Sequence, residues 1–404
     1  MIATFSALIS PIIQSIDFIS KRQERRDNKL IQEREIRYHN ALLAKTELEI
    51  RRLFDKGLID ALTLLRSPKS IERVIGIDRL AHCADENPTQ NQHIVTVICD
   101  ALSSEENRSD YLVQREVLQQ IAFRTRPKSS EDNDLSQNSW IQCEFEFRNV
   151  EFQEEALFED MEASKLSFVG CKFKSLFTVF NTKIDNSFEL RDSKFYNVAM
   201  ISNSRFGNLK AKNNEFNKST FFSTISFEDN FSFKQNQAHM ACSTFSSISG
   251  TGTLSMVENN FETLQMYDIL AREGIEIVKS TIWGMMLMRG VRSGGRTSIS
   301  NTSTFNIIAI HGCKFPFFEL DNNAILGGVY MVQSDLHTTS GFQQLKNCNT
   351  VALHHVVIRE IDAEIVVPLI FTNGVAGHGS LENIAKFKKW GMDKIPDSAV
   401  TITL

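Results

Sequence analysis

A large apolar residue recurs at every fifth position between residues 303 and 330. These residues are Phe305, Ile310, Phe315, Leu320, Ile325 and Tyr330. A strand repeats its side-chain direction every two residues and a helix every 3.6, so neither produces this step. A five-residue step requires a backbone that turns a corner each time it places one side chain in the interior. Four corners close a square coil of about 20 residues, which is typical of a solenoid whose stacked coils pair like parallel strands.

The same step is present upstream, where a longer period accompanies it. Phe152, Phe173, Phe195 and Phe216 recur after 21, 22 and 21 residues, which predicts one coil with an occasional extra residue at a corner. The chain contains 30 Phe but only 5 Tyr and 3 Trp. Because phenylalanine has no polar group to satisfy, this ratio favours a dry interior of stacked rings. These four phenylalanines and the six residues above form the predicted core of the repeat.

Several related four-residue motifs end in the residue that is predicted to point inward. They read GCKF, DSKF, NSRF, NNEF and ENNF, and GCKF occurs twice. They resemble the core motif of the pentapeptide-repeat family, with Phe where many members use Leu. The resemblance implies an α+β chain by segments, in which a helical N-terminal region is followed by a right-handed quadrilateral parallel β-helix. We expect that β-helix to cover residues 140–375 and a C-terminal cap to cover residues 376–404, with a helix over residues 381–390 closing the open end.

The first 66 residues divide into two segments. Residues 1–20 are apolar or amphipathic, and a basic cluster of Lys21, Arg22, Arg25 and Arg26 follows them. Two interpretations remain open: an interfacial helix whose basic cluster faces cytoplasmic lipid, and a helix packed on the protein or on a second copy. Residues 21–66 are rich in Glu, Arg, Lys and Leu and contain no Pro, which predicts a long charged helix or coiled coil.

Residues 67–125 predict further helices. Ser70 begins one, Asn87-Pro88 breaks it, and residues 91–102 and 111–123 supply two more. The first of them resembles the HEAT-like helical region that precedes the repeats in bacterial membrane-associated pentapeptide-repeat proteins. The matching residues are Arg73, Ile75, Gly76, Ile77, Leu80 and Ala81. Gly76 is expected to allow close helix packing, and the polar residues 126–139 are expected to form a linker.

The repeat pattern becomes irregular between residues 237 and 300. The stretch LAREGIEIVKSTIWGMMLMRGVRSGGRTS interrupts it there, so we expect a loop or short helix to leave the wall. Within this stretch, residues 289–296 are basic and glycine-rich but lack the residue order of a P-loop, which favours a flexible loop over an anion site.

No set of residues in the sequence has the spacing of a catalytic, cofactor or metal site. Five histidines fall on different coils without spaced Cys or carboxylate partners: His311, His337, His354, His355 and His378. The seven cysteines show no zinc-type spacing and are expected to fill small inward positions as free thiols. We therefore assign no catalytic, cofactor-binding or metal-binding residue and predict that the protein is not an enzyme.

The predicted function is that of a protein-interaction scaffold, anchored or oligomerised through its N-terminal helices and located in the cytoplasm or at the inner membrane. Its partners would be an unidentified protein, a second copy or a membrane surface. The net charge of −5 gives no general case for nucleic acid. Two alternatives remain open. The acidic run from Glu144 to Glu162 is a feature of DNA mimics that bind type II topoisomerases, and parallel β-helices also act on carbohydrates.

Overall fold

Helices precede the repeats. A computed structural model of the chain describes residues 56–127 and 139–340 and, further on, residues 350–354, 356–361, 369–372, 375–378 and 400–403. The predictions that lie outside the described residues are the N-terminal segment 1–20, the basic cluster (Lys21, Arg22, Arg25, Arg26), residues 128–138 of the predicted linker 126–139, and the C-terminal covering helix 381–390. The predicted charged helix 21–66 is described only from residue 56, and it is helical to residue 65. No helix among the described residues combines the length and the apolar composition needed to cross a membrane.

Three helices follow, as the sequence predicts. They are α1 (Ser70–Glu86), α2 (Asn91–Ala101) and α3 (Tyr111–Thr125), and a 3-10 turn at Pro88–Gln90 separates the first two. Gly76, Ile77 and Leu80 are buried on the inner face of α1. The helix ends at Glu86, which confirms the predicted break at Asn87-Pro88. The helix stops here because proline has no backbone N–H to donate the next helical hydrogen bond.

Two buried ion pairs join α1 to α3. Arg73 on α1 contacts the carboxylate of Asp110, and both side chains are at most 10% exposed. At the other end, the Nε and Nη2 atoms of Arg124 donate to the carboxylate of Asp85 at 3.0 and 2.6 Å. Asp110 also accepts hydrogen bonds from the backbone N–H groups of Leu112 and Val113, so it caps α3 as well.

Strands form the rest of the described chain. In order they are β1 Glu144–Arg148, β2 Glu151–Phe152, β3 Ala156–Glu159, β4 Glu162–Val169, β5 Lys172–Phe173, β6 Phe177–Phe180, β7 Lys183–Arg191, β8 Lys194–Phe195, β9 Ala199–Lys212, β10 Glu215–Phe216, β11 Thr220–Phe227, β12 Asn230–Lys234, β13 Gln237–Gly250, β14 Thr253–Val257, β15 Asn260–Tyr267, β16 Leu270–Ala271, β17 Gly274–Val278, β18 Thr281–Ile282, β19 Met286–Arg289, β20 Arg292–Ser293, β21 Arg296–Ser300, β22 Ser303–Thr304, β23 Ile308–His311, β24 Lys314–Asp321, β25 Ala324–Ile325, β26 Gly328–Val332, β27 Asp335–Ser340, β28 Thr350–His354, β29 Val357–Ile361, β30 Leu369–Thr372, β31 Val375–His378 and β32 Val400–Thr403.

The strands build a parallel β-solenoid of about nine turns, which confirms the predicted helical region followed by a β-helix. Each strand pairs with the strand one coil later, as in the ladder from Phe147 to Phe168, Leu190 and Ala211. Four such ladders run along the solenoid and define its four walls. In coil 1 the inward residues are Phe145 and Phe147 on wall 1, Val150 and Phe152 on wall 2, Ala156 and Phe158 on wall 3, and Met161 and Ala163 on wall 4.

The backbone conformation at the corners explains the recurring four-residue motifs. Their first residue adopts the left-handed backbone, with φ between 50° and 66° at Gly170, Asp192, Asn203, Asn213, Glu258 and Gly312. Gly, Asn and Asp tolerate this region best, which explains their recurrence at corners. The side chains also bond from coil to coil, because Asn203 Nδ2 donates to Asn181 Oδ1 at 3.1 Å and Asn181 Nδ2 donates to Asp160 Oδ1 at 2.6 Å. The second residue of each motif is small or polar and points inward.

The inward register differs from the prediction at two of the ten predicted core residues. Eight are buried: Phe152, Phe173, Phe195, Phe216, Ile310, Phe315, Leu320 and Ile325. Phe305 and Tyr330 are instead 43% and 41% exposed, and Thr304 and Met331 are buried in their place. The chain takes six residues from Thr304 to Ile310 and from Ile325 to Met331, because the corner between walls 2 and 3 holds an extra residue. A strict five-residue count assigns Phe305 and Tyr330 to the interior, whereas the extra corner residue places them on the surface.

The phenylalanines of wall 2 form a stacked column. Ring centroids lie 5.0 Å apart for Phe152 and Phe173, 4.6 Å for Phe173 and Phe195, and 4.7 Å for Phe195 and Phe216, with rings within 14° of parallel. The coil spacing of a parallel sheet, about 4.8 Å, sets these distances. Burial of the rings and the aromatic contacts both stabilise the coils.

A polar column runs beside the rings inside wall 2. Asn214, Asn236 and Asn259 are buried, and each donates through Nδ2 to a backbone carbonyl of the preceding coil at 2.7–2.9 Å. Cys171 fills the equivalent position in coil 2, and Cys313 fills a matching position on wall 4. Both are free thiols, and burial raises the pKa to about 12 for Cys171 and to about 11 for Cys313. The predicted role of these two cysteines as small inward residues is confirmed.

The stretch between residues 237 and 300 remains in the wall, contrary to the prediction that a loop or helix leaves it. Strands β13 to β21 continue the ladders there, and the register shifts between Ala238 and Cys242, where one step lengthens. The glycines of this stretch serve tight corners. A Cβ atom on Gly295 would lie 1.8 Å from the carbonyl oxygen of Glu273 in the preceding coil. Residues 289–296 thus form two corners around β20 and no loop.

We expect Gly295→Ala to lower the free energy of unfolding by about 1–3 kcal/mol, because the added methyl group forces two coils apart. Chemical denaturation of the full chain measures this loss. Gly312→Asn is the matched control, since nothing lies within 4 Å of a Cβ atom there and asparagine occupies the same corner at Asn181 and Asn203. Equal losses in both variants would contradict the tight corner.

The helices close the first edge of the solenoid. An open strand edge exposes unpaired backbone groups, and side chains of α2 and α3 satisfy several of them here. Gln92 accepts from Glu144 N at 2.7 Å and donates to Glu144 O at 3.1 Å. Gln114 Nε2 donates to Glu151 O at 2.8 Å, and Trp140 is fully buried under this cap. The helical segment therefore acts as the cap of the β-helix.

Candidate interaction surface

Wall 3 carries almost no charge. Its strands in coils 2–6 read FTVF, AMIS, TFFS, STFS and LQMY, at residues 177–180, 199–202, 220–223, 243–246 and 264–267. These five neighbouring strands contain no Asp, Glu, Lys, Arg or His. They are continuously paired, so they present one uncharged parallel sheet surface.

Exposed apolar side chains concentrate on the same wall. The outward column includes Leu157, Met200, Phe221 and Tyr330, each 38–41% exposed. Nine of the eleven large apolar side chains that are exposed on the described coils lie on wall 3 or at the corner leading into it: Leu157, Leu176, Phe180, Met200, Phe221, Trp283, Phe305, Leu326 and Tyr330. They form two groups, one in coils 1–4 and one in coils 7–9, because Thr244 and Gln265 occupy the outward column in coils 5 and 6. Exposed apolar patches typically mark protein-binding surfaces.

The corner leading into wall 3 carries an aromatic pair. Trp283 and Phe305 are stacked with ring centroids 4.5 Å apart and planes 13° from parallel. Trp283 Nε1 donates to Asn260 Oδ1 at 2.7 Å, which fixes the indole while leaving it 51% exposed. These rings extend the apolar surface around the corner in coils 7 and 8.

Wall 2, in contrast, carries charged outward residues in its first four coils. Its outward column reads Glu151, Lys172, Lys194 and Glu215 over four coils. Lys194 Nζ lies 2.7 Å from the carboxylate of Glu215, and Lys172 lies 3.6 Å from Glu151. These charges solvate wall 2 in coils 1–4, and their exposed ion pairs contribute little stability. The uncharged polar residues Gln237, Asn260, Thr281 and Ser303 continue the same column, whereas wall 3 carries exposed apolar side chains.

The charged side chains on wall 3 have opposite signs in coil 1 and in coil 7, and the wall continues through coils 8 and 9. Glu155 and Glu159 lie in coil 1, while Arg289 lies in coil 7 and His311 in coil 8, in the same outward column as Glu159. Among the described residues, neither Glu159 nor Arg289 has an ion-pair partner. Coils 1–7 of wall 3 therefore form a strip with acidic residues in coil 1, uncharged strands in coils 2–6 and a basic residue in coil 7.

The acidic run of the sequence forms a ring around coil 1. Its carboxylates are spread over all four walls, and basic residues of the same or the next coil pair with them: Arg148 with Glu146, Lys172 and Lys174 with Glu151, and Lys183 with Glu162. Burial would raise the pKa of Glu151, but hydrogen bonding to Gln153 and the charge of Lys174 outweigh burial and lower it. Negative charge does not continue along the axis, as a DNA-like rod would require.

Other candidate sites are less developed. A polar groove of about 410 Å³ follows the corner between walls 3 and 4, lined by Asn181, Asn203 and Arg205 among others. A smaller groove of about 250 Å³ lies between α3 and coil 1, beside Tyr111 and Leu157. Within the described ranges no group of three or more His, Cys, Asp or Glu side chains is arranged to hold a metal ion.

The five-residue step does not reveal wall 3, because counting five residues on from Phe195 and from Phe216 assigns Met200 and Phe221 to the interior. The sequence pattern that could have indicated an apolar outer surface is two large apolar residues in succession, as in FF at residues 221–222 and MI at residues 200–201. One residue of such a pair must point outward in a strand.

Comparison of the chain with protein-family models, with curated proteins and with solved structures gives no match.

Proposed function

We propose that this protein is a non-enzymatic interaction scaffold whose β-helix presents wall 3 to a protein partner. The observation that carries the proposal is the uncharged sheet of coils 2–6, with apolar side chains exposed in its outward column. Burying that surface against a partner removes apolar area from water at about 25 cal/mol per Å². A rigid wall also loses little conformational entropy on binding.

The recurring four-residue motifs and the left-handed corner residues support identification of the solenoid as a pentapeptide-repeat β-helix. In this proposal the solenoid supplies stability and a flat surface. The N-terminal segment, with Lys21, Arg22, Arg25 and Arg26, supplies attachment to the cytoplasmic face of the inner membrane or association between copies. The charged walls 1 and 2 keep the rod soluble.

The test is capture by the immobilised full chain from a lysate of the cells that make it. Phe221→Lys places a charge in the middle of wall 3, whereas Ser232→Lys places the same charge on the outward side of wall 1. We expect Phe221→Lys to lose the proteins that the wild type retains and Ser232→Lys to keep them. Identical sets of retained proteins from all three forms would overturn the proposal, provided that circular dichroism shows all three folded.

A further inference from the structure

We propose that wall 3 docks a second copy of this chain face to face, with the two solenoid axes antiparallel. This inference rests on the proposed function, because it names the partner of the same surface. In this dimer the two-fold axis runs along the strand of coil 4, residues 220–223. Coil 1 of one copy then faces coil 7 of the other, and each outward column faces itself.

The area of the wall is sufficient for a stable dimer. Seven strands at about 4.8 Å spacing cover about 34 Å along the axis, and four-residue strands with their side chains are about 17 Å wide. Face-to-face packing over that rectangle buries about 600 Å² per copy, or about 1,200 Å² in total. This total reaches the lower end of the range for specific protein interfaces, about 1,200–2,000 Å².

The charges select the antiparallel arrangement. In a parallel face-to-face dimer, in which equal coils meet, the acidic residues of coil 1 in both copies would lie together, and so would the two Arg289 residues of coil 7. In the antiparallel dimer Glu159 faces Arg289 of the other copy, and the symmetry forms this ion pair twice. Opposite charges at matched positions fix the register of an interface, whereas like charges facing each other oppose association.

The apolar residues match in the same register. Phe221 meets its own copy across the axis, Leu157 meets Leu287 of the second copy, and Phe180 meets its Tyr267. Met200 meets Thr244. Each pair combines residues from the same outward column at equal distances from coil 4, so the central part of the interface contains no charge. A charge-poor centre with charged ends is the usual composition of a protein interface.

Sedimentation velocity of the purified full chain tests the proposal. We expect a dimer whose dissociation constant rises about tenfold or more in Glu159→Arg and in Arg289→Glu, because each change creates two like-charge contacts. The double variant restores the pair with exchanged signs and should return to wild-type affinity. Mixing the two single variants should give heterodimers tighter than either homodimer. Glu276→Arg makes the same charge change on wall 1 and should leave the dimer unchanged.

The outcomes separate this inference from the proposed function. A monomeric wild type, or an oligomer that Phe221→Lys and the charge variants leave unchanged, would overturn the dimer. If capture from the lysate still depends on Phe221 in that case, the scaffold function stands with another protein as partner. A dimer that the single variants weaken but the double variant does not restore would overturn the antiparallel register.

Discussion

Replacing Phe195 by alanine is expected to lower the free energy of unfolding by about 3–5 kcal/mol. Its ring is fully buried and stacks between Phe173 and Phe216, at centroid distances of 4.6 and 4.7 Å. Phe177 packs against the same ring at 5.3 Å. The surrounding backbone is held by ladders on both sides, so the coil cannot collapse into the vacated space. Denaturant titration followed by circular dichroism measures the loss.

Phe221→Ala is the control for this prediction, since it removes the same side chain from the outer surface. Phe221 is 38% exposed on wall 3, and its neighbour Phe222 is the buried residue. The change should alter the stability of the monomer by no more than about 0.5 kcal/mol, as is usual for surface sites. A large loss in Phe221→Ala together with a small loss in Phe195→Ala would contradict the inward register of coils 3 and 4.

Replacing Asp110 by alanine is the second change with a large expected effect, about 3–5 kcal/mol of destabilisation. The substitution leaves the guanidinium of Arg73 buried without its counter-charge, since the Arg73 side chain is 6% exposed. It also removes the acceptor for two N–H groups at the start of α3. Thermal unfolding of the full chain measures the effect. Asp100→Ala, at an exposed acid of α2, should change stability by no more than about 0.5 kcal/mol.

The contribution of Asp110 should depend on pH. Burial would raise the pKa of Asp110, but hydrogen bonds with Ser70 and Arg73 outweigh burial and hold the pKa below its usual value. A carboxyl whose pKa is lower in the folded state stabilises the fold above its unfolded pKa, about 3.9 for Asp, and this stabilisation is lost as pH falls through the folded value. The stability difference between the wild type and Asp110→Asn should therefore be constant near pH 7 and shrink below about pH 4. A difference that grows on acidification would contradict this.

The helical cap covers the first strand edge of the solenoid, and wall 3 presents a separate apolar face. Glutamines of the helices satisfy the first strand edge, where another chain would otherwise add a strand. The apolar surface lies on a face of the solenoid and not on this edge. The association proposed for wall 3 would therefore bury side chains without extending the sheet, which favours a closed dimer over a fibre.

The order of residues along the chain was enough to predict a solenoid that follows a helical region. A five-residue step matches the period of neither a helix nor a strand. Motifs such as DSKF and NSRF combine a corner residue, a small inward residue and a large inward ring. The helix break at Asn87-Pro88 was equally predictable, because proline lacks a backbone N–H and interrupts a helix wherever it occurs in the helix interior. These features depend on a few neighbouring residues.

The wall that each residue occupies could be assigned only from the folded chain. Steps of six residues at some corners, and the lengthened step after Ala238, accumulate along the chain, so position on a wall depends on every preceding corner. Neighbouring residues point to opposite sides of a strand, and a shift by one residue exchanges interior and surface. Apolar character cannot distinguish Phe221 from Phe222, or Tyr330 from Met331. The uncharged surface of wall 3 emerges only when residues 21 to 23 positions apart are aligned by the backbone ladders.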